Sequence, residues 1–208
     1  MRSRWAVVVL LAIAAIAVGA EVTNFSLEET WTDSGFQRRS FKKLVVIGIS
    51  DDRETRHRFE DKFVSHLRGR GIEGTTSYSI VADLTVPQDE KKIVQTIEEQ
   101  GIDGAISVRV VPMKQLDKAA WAAQWQERVE ADDDLRELID ETLPLEKKKA
   151  KKYGVEVTLW ETEQWDRVWG GRTDTYTRDQ LRKGSGDFVQ YVMDALTYAE
   201  LLEPGRQP

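Results

Sequence analysis

Few side chains in this chain have the types and spacing that enzymes use for chemistry. The sequence contains two histidines and no cysteine, which excludes disulfides, thiolate metal sites and thiol nucleophiles. His57 and His66 are nine residues apart, so on a helix they lie on opposite faces and cannot form a paired metal site. Ser185 has glycine on both sides, but it lacks the G-x-S-x-G spacing of a nucleophilic serine. We therefore expect a protein that is not an enzyme and that uses no metal and no cofactor.

Two acidic residues come just after the most apolar strand. Residues 44–49 are apolar and rich in β-branched side chains, which predicts a buried strand, and Asp51 and Asp52 follow it. Sheets of the α/β class often bind ligands at this end of their strands. However, Asp51 and Glu54 have the spacing of a capping box, and acidic side chains stabilise the start of a helix. The sequence favours the cap and leaves a small-molecule site near Asp51 and Asp52 as the alternative.

A glycine motif further along has the letters of a nucleotide-binding fingerprint in the wrong place. Residues 69–74, GRGIEG, match G-x-G-x-x-G. That fingerprint must follow a strand and open a helix, so that a phosphate meets the helix N-terminus. Here the glycines follow a predicted helix and precede a strand. We interpret Gly69 or Gly71 as the C-terminal cap of that helix.

A segment rich in tryptophan and acids is the most distinctive part of the chain. Trp121 and Trp125 are four residues apart, so both rings can lie on one helical face. Many acids follow them, and then comes a lysine-rich run at 147–152. Neighbouring acidic and basic helices can simply neutralise each other, with the two rings packed on the sheet. The alternative, which we adopt as a prediction, is an insertion that binds a partner protein through Trp121 and Trp125, with the acids favouring a basic partner.

Three more tryptophans lie in a predicted hairpin. Residues 153–176 alternate between apolar and polar side chains around a turn near 161–164, which is typical of antiparallel strands. Trp160, Trp165 and Trp169 are expected to form a ladder along this hairpin. A glycan-stacking platform made by the same rings is the functional alternative.

The composition and the N-terminus limit the classes of function. The 208 residues suit a single domain, and a net charge of −6 argues against general binding to nucleic acid. Residues 1–20 begin with two arginines, continue with an apolar run and end in small residues, which is typical of a cleaved signal peptide. An uncleaved inner-membrane anchor is the alternative, but the run is shorter than the roughly 20 residues that a membrane span needs. We expect a periplasmic protein without stable membrane insertion.

The hydrophobic periodicity predicts an α/β fold in two or three layers, with a βαβαβ parallel core. The strands are expected at 44–49, 76–80 and 103–111. Phe59, Phe63 and Leu67 form the buried stripe of the first helix, and Pro87 to Gly101 bound the second. An antiparallel hairpin and a C-terminal helix capped by Ser185 or Asp187 extend this core.

The domain boundaries follow from these elements. They are a signal peptide at 1–20, an extended arm at 21–42 held by its aromatic residues, a domain at 43–203 with a helical insertion at 114–152, and a disordered tail at 204–208. Fraying is expected to begin at Glu200.

Several stretches between residues 31 and 202 share a pattern with known proteins, namely Trp31, residues 41–46, Arg56, Glu60, Leu67, Gly71, residues 77–79 and residues 168–173. These stretches resemble a family of poorly characterised bacterial envelope proteins, mostly lipoproteins, and the resemblance covers most of residues 31–202. Proteins of this family share the α/β fold of the penicillin-binding-protein activator lipoprotein, the curli secretion lipoprotein and the N-terminal domain of TolB. The resemblance implies no catalytic residues. This chain departs from it by lacking the lipid-anchoring cysteine.

These observations predict a non-catalytic periplasmic envelope protein that acts as a protein-binding or assembly domain. Its expected partner is another envelope protein. A periplasmic domain that binds a small molecule or a glycan is the alternative, using the strand ends near Asp51 and Asp52 or the hairpin tryptophans.

Overall fold

The computed structural model describes residues 25–33, 35–36, 40–50, 52–82, 87–113, 123 and 151–203. Within them, six strands form one mixed sheet and three helices pack against it. The elements in chain order are β1 (Leu27–Thr32), β2 (Lys43–Ile49), α1 (Arg53–Gly69), β3 (Glu73–Thr76), a 3₁₀ turn (Ser77–Ser79), α2 (Pro87–Gln100), β4 (Gly104–Pro112), β5 (Tyr153–Glu161), β6 (Arg167–Thr173) and α3 (Arg178–Tyr198).

The sheet combines a parallel half and an antiparallel half. The strand order is β1-β6-β5-β4-β2-β3, in which β2 runs parallel to both β3 and β4. The pairs β4–β5, β5–β6 and β6–β1 are antiparallel. The predicted α/β class, with a parallel core extended by an antiparallel hairpin, is confirmed. The arm contributes β1, which lies at the edge of the sheet farthest from β3.

Apolar side chains cover both faces of the sheet. On one face, α1 and α3 form the larger core, in which the predicted stripe of Phe59, Phe63 and Leu67 is buried. On the other face, Ile93 and Ile97 of α2 pack in the smaller core. The side chains of β2 alternate between the two cores, so this strand is apolar on both sides.

The second parallel strand is shorter than predicted. The alternation at 76–80 suggested a strand there, but β3 ends at Thr76 and residues 77–79 form a 3₁₀ turn. The reason is a buried carboxylate: the Ser77 hydroxyl and the Tyr78 backbone N–H both donate to Glu60. These two bonds turn the chain away from the sheet edge.

The C-terminal helix starts earlier than predicted. Neither Ser185 nor Asp187 caps it, because α3 begins at Arg178 with a capping box between Thr177 and Gln180. Gly184 lies inside this helix, next to Ser185. A Cβ at Gly184 would lie 1.8 Å from Cε2 of Phe25, so the glycine makes room for that ring.

The N-terminal arm is fastened by aromatic contacts, as predicted. Phe25 is buried, with ring centroids 4.2 Å from Tyr176 and 5.8 Å from Phe188. Further along, the rings of Phe36 and Phe41 are stacked with centroids 6.1 Å apart. These contacts join the described part of the arm to α3 and to the residues that precede β2.

All three helices end in the same hydrogen-bonded motif. In each, one backbone N–H reaches back five residues, as from Ile72 to Leu67, and the preceding N–H reaches back three, which defines a Schellman cap. The residue that adopts positive φ is Gly71 in α1, Gly101 in α2 and Glu200 in α3. The predicted cap at Gly71 is confirmed. The prediction that the chain frays from Glu200 onward is wrong for the next two residues, because Leu201 and Leu202 are buried.

Glu200 gives a prediction, because its φ of 60° is a conformation that costs an L-residue energy and costs glycine little. We expect Glu200→Gly to stabilise the protein by about 1 kcal/mol in chemical denaturation. Glu200→Ala is the control, since it removes the side chain without relieving the backbone. An equal gain in both variants would assign the effect to the carboxylate.

Candidate functional site

The acidic residue at the end of β2 caps a helix. The Asp52 carboxylate accepts a hydrogen bond from the Thr55 backbone N–H at 3.0 Å, so the cap of α1 is Asp52 and not Asp51. Asp51 lies outside the described residues. The cap function that the sequence favoured is therefore present, shifted by one position.

A shallow cleft lies beside this cap, where the candidate ligand site was placed. The volume in which a water-sized molecule could be centred is about 0 Å³, whereas ligand pockets typically measure roughly 300–1,000 Å³. The lining residues of the cleft are Ser50, Asp52, Thr55, Val110, Tyr153, Arg178 and Leu181.

The polar groups in the cleft bind one another. Arg178 donates to the Tyr153 hydroxyl at 2.9 Å, and its guanidinium lies 5.1 Å from the centroid of that ring. Another guanidinium nitrogen lies 3.7 Å from the Asp52 carboxylate. These contacts join the starts of α1 and α3 to β5. The polar residues of the cleft therefore have a structural role that requires no ligand.

The most buried charges form a network between α1, β2 and the 3₁₀ turn. The Glu60 side chain is 0% exposed, and its carboxylate accepts bonds from Arg56 Nε and the Gly48 N–H, both at 2.9 Å. It also accepts from the Ser77 hydroxyl at 2.7 Å and the Tyr78 N–H at 3.0 Å. Four donors on one buried carboxylate are typical of a structural anchor.

Arg56 completes this network on its other side. Its guanidinium donates to the Ser77 hydroxyl at 2.8 Å and to the Val81 carbonyl at 3.3 Å. Gly48 makes room for the pair, because a Cβ there would lie 2.8 Å from Arg56 Cγ. A lone glycine in a strand rich in β-branched residues marks such a close approach, so the sequence did carry a signal for this contact.

A second set of charges crosses four strands of the sheet. Arg109, Glu156, Arg172 and Glu29 lie directly opposite one another in β4, β5, β6 and β1. The Arg109–Glu156 contact is 3.0 Å and the Arg172–Glu29 contact is 2.9 Å. This alternation of charge favours one register and joins the edge strand to the sheet.

The two histidines have different surroundings. The His57 ring packs on Tyr78 with centroids 4.1 Å apart. His66 lies beside α3, where Lys62, Arg70, Asp194 and Gln190 surround it. Among the described residues, no three histidine, aspartate or glutamate side chains are grouped so that they could hold a metal ion.

His66 gives a prediction about pH. Burial lowers the pKa of His66 below its usual value, Arg70 and Lys62 lower it further, and Asp194 and Gln190 oppose them. The folded protein therefore favours the neutral imidazole. The contribution of His66 to the free energy of unfolding is fully present above a pH of about 6.5, the usual pKa of histidine, and it is lost as the pH falls from there through the lowered pKa. We expect His66→Asn to lessen this loss between pH 7 and pH 5 in denaturant titrations. Parallel stability curves for both proteins would contradict it.

The hairpin tryptophans do not form the expected ladder. Trp169 lies opposite Leu159 and belongs to the larger core, whereas Trp160 and Trp165 belong to the smaller core on the other face. An irregularity in the pairing between Leu159 and Trp160 changes the alternation there. All three rings are buried, so they do not form an exposed platform for a glycan.

Exposed aromatic side chains are found elsewhere, on α3. Tyr191 is 53% exposed and Tyr198 is 93% exposed, and they are the large exposed hydrophobic residues of the described part of the chain. Seven residues separate them, so they lie on one face. They were not among the predicted contact residues, because their exposure depends on how α3 packs on the sheet. Trp121 and Trp125, the predicted contact residues, lie outside the described residues.

A membrane-spanning helix is absent from the part of the chain that the structure describes. The predicted signal peptide at 1–20 lies outside that part.

Comparisons with known proteins give a structural match alone. No protein-family profile matches the chain, and no curated protein matches it. Two solved structures of the PelC dodecamer from Paraburkholderia phytofirmans, one a point variant, resemble it with a TM-score of 0.43 and 15% sequence identity. The variant match covers 81% of this chain and 98% of PelC, and the other covers 85% and 99%.

Proposed function

We propose that this chain is a non-catalytic envelope protein that acts as a protein-binding or assembly domain. The observation that carries the proposal is the exposure of Tyr191 and Tyr198 on one face of α3. Tyrosine is enriched in protein interfaces, because its ring supplies apolar area and its hydroxyl stays hydrated or bonded. Neither ring contributes to the core, which is formed by the opposite face of this helix.

The alternative functions have weaker support from the described residues. A small-molecule site near Asp52 would use a cleft whose charged groups already bind one another. A glycan platform would need exposed rings, but the hairpin tryptophans are buried. Partner binding requires neither a deep cavity nor a free catalytic group.

Photo-crosslinking tests the proposal. A photoreactive amino acid placed at position 191 or 198 of the full chain should capture a discrete envelope protein in living cells. The same amino acid at the exposed Lys92 of α2, on the other face of the sheet, is the matched control. Equal capture at all three positions, or none at 191 and 198, would refute a binding surface on α3.

Trp121 and Trp125 remain proposed contact residues of the insertion. Replacing both with serine should abolish partner capture and leave the melting temperature unchanged. A large fall in melting temperature would mean that the rings pack in the core, and their role in binding should then be abandoned.

Periplasmic location is the final part of the proposal and gives its own prediction. Cleavage after Ala20 should leave Glu21 as the mature N-terminus of a protein released from membranes. Mass spectrometry of the exported protein measures this directly. An intact Met1 in the membrane fraction would favour an uncleaved anchor.

A further inference from the structure

The face of the sheet that carries α2 extends beyond this helix. Among the described residues, the smaller core takes its strand side chains from β2, Ala105 of β4 and Trp160 of β5, and none from β6 or β1. Side chains at every second position of a strand share a face, so Val111 of β4 lies on the side of Ala105. Thr158 of β5 lies on the side of Trp160 for the same reason. The antiparallel half of this face therefore lies outside the core that α2 forms.

Four side chains on this half are nevertheless buried. They are between 4% and 8% exposed, and we call them the covered patch: Val111, Glu156, Thr158 and Arg172. Ion pairs with Arg109 and Glu29 satisfy the two charges, but they do not keep water from the outer side of the layer. Val111 is apolar and belongs to neither of the two cores. Neighbours within a layer shield one another only from the side, so this burial requires atoms above the patch.

The row of charges shows where the cover is centred. The side chain of Glu156 on β5 is 5% exposed, and that of Arg172 on β6 is 10% exposed. On either side of them, the side chains of Arg109 on β4 and Glu29 on β1 are 21% and 29% exposed. Exposure is therefore lowest at β5 and rises in both directions along the row.

A long segment of the chain begins and ends beside the covered patch. Directly after β4, the Met113 N–H donates to the carbonyl of Lys152, the residue before β5, at 2.9 Å. About two residues are enough to join antiparallel strands at such a point, but here residues 114–150 connect them. Both ends of this segment are near Val111, so it can reach the patch without passing another element.

The other ranges outside the described residues are less suited to this place. Residues 1–24 lead to Phe25, which packs in the larger core on the opposite face of the sheet. Each of the remaining ranges holds at most five residues, the longest being 204–208. That length is too short to cover side chains on three neighbouring strands.

We infer that residues 114–150 dock on the covered patch and complete this face of the sheet. The occupant must be amphipathic, because it covers apolar surface at Val111 together with two charged side chains that are paired in the sheet. The segment meets this requirement: it carries charges of both signs and an apolar spacing at Leu135, Leu138 and Ile139. The inference goes beyond the proposed function and leaves the outer side of the segment available to a partner.

Disulfide trapping in the full chain tests the inference, since the protein contains no cysteine of its own. Thr158→Cys is combined with a second cysteine at one position at a time from 126 to 145, and each variant is oxidised with copper phenanthroline. A disulfide requires Cα atoms within roughly 7 Å, so we expect mass spectrometry to find bonds at a limited subset of positions. Thr30→Cys is the matched control, because this exposed residue of β1 lies on the opposite face and should trap none of them.

Limited proteolysis measures the same docking without introduced cysteines. Residues 114–150 contain lysines and arginines, so trypsin has sites within the segment. Val111→Asp places a charge beneath the occupant and should speed cleavage within the segment about tenfold. Cleavage at Lys92 of α2 should stay slow, which shows that the domain remains folded. Thr30→Asp should change neither rate.

Three outcomes would overturn the inference. Disulfides from Thr158→Cys to every position, or to none, would show that the segment has no fixed contact with the patch. A bond to Thr23→Cys in their place would assign the cover to the N-terminal segment. Equal cleavage of the segment in Val111→Asp and Thr30→Asp would show that the patch does not hold it. None of these results affects photo-crosslinking from α3, which tests the proposed function separately.

Discussion

Glu60→Gln is expected to destabilise the protein by about 3–5 kcal/mol, the usual cost of removing one partner of a buried ion pair. Glutamine has nearly the same shape, so no cavity forms and the core stays filled. What changes is the charge: Arg56, only 3% exposed, would remain in the interior without its counterion. The free energy of unfolding from denaturant titration measures the loss.

A second change should recover part of that loss. In the double variant Arg56→Met with Glu60→Gln, no charge remains in this network, and the glutamine oxygen can still accept from the Gly48 N–H. We therefore expect the double variant to be more stable than Glu60→Gln alone. The difference from additivity gives the coupling energy of the pair.

The same helix contains a matched exposed pair. Arg58 and Glu54 are also four residues apart, with contact atoms separated by 2.6 Å, and their side chains are 36% and 66% exposed. Glu54→Gln should cost at most about 0.5 kcal/mol, because solvent screens exposed pairs. If Glu60→Gln cost no more than Glu54→Gln, burial of the network would not matter to stability.

Hydrophobic periodicity predicted the helices and strands whose buried side chains recur at regular spacing. The parallel strands around α1 and α2 have continuous apolar runs and helical stripes, so β2, β4 and the stripe through Phe63 could be located from sequence. The position of β1 could not be predicted, since an edge strand with alternating side chains has no preferred neighbour until the hairpin exists. Its place beside β6 depends on Phe25 and on Arg172, which are distant in sequence.

The two errors in element boundaries have different physical origins. Residues 77–79 have strand-like alternation, but Glu60, which is distant in sequence, accepts two hydrogen bonds from them and turns the chain. The late start predicted for α3, at Ser185 or Asp187, overlooked a local signal, because Thr177 and Gln180 have the spacing of a capping box. Only the first error depends on a tertiary partner that local spacing cannot identify.

The candidate binding surface was missed for a related reason. Seven-residue spacing of tyrosines is visible in the sequence, but it indicates a surface only when the buried face of the helix is known. The sequence identified the candidate residues near Asp52 and in the hairpin. It could not show how buried their side chains are or which groups they contact. Whether a carboxylate is a cap or a ligand, and whether a tryptophan is core or platform, is decided by burial.

Phe63→Ala is expected to destabilise the protein by about 3–5 kcal/mol, the usual cost of truncating a buried phenylalanine. Phe63 is fully buried in the middle of the α1 stripe, and its ring meets the edge of Phe188 from α3 with centroids 6.4 Å apart. Truncation would leave a cavity between the two helices and the sheet, and that space cannot close while Phe59 and Leu67 hold α1 in place.

The denaturation midpoint should therefore fall, with little change in the slope of the transition. Phe63→Leu, which keeps most of the apolar volume, should lose much less stability, and Lys62→Ala, at the exposed neighbouring position, should lose almost none. A midpoint equal to that of Lys62→Ala would mean that α1 presents a different face to the sheet.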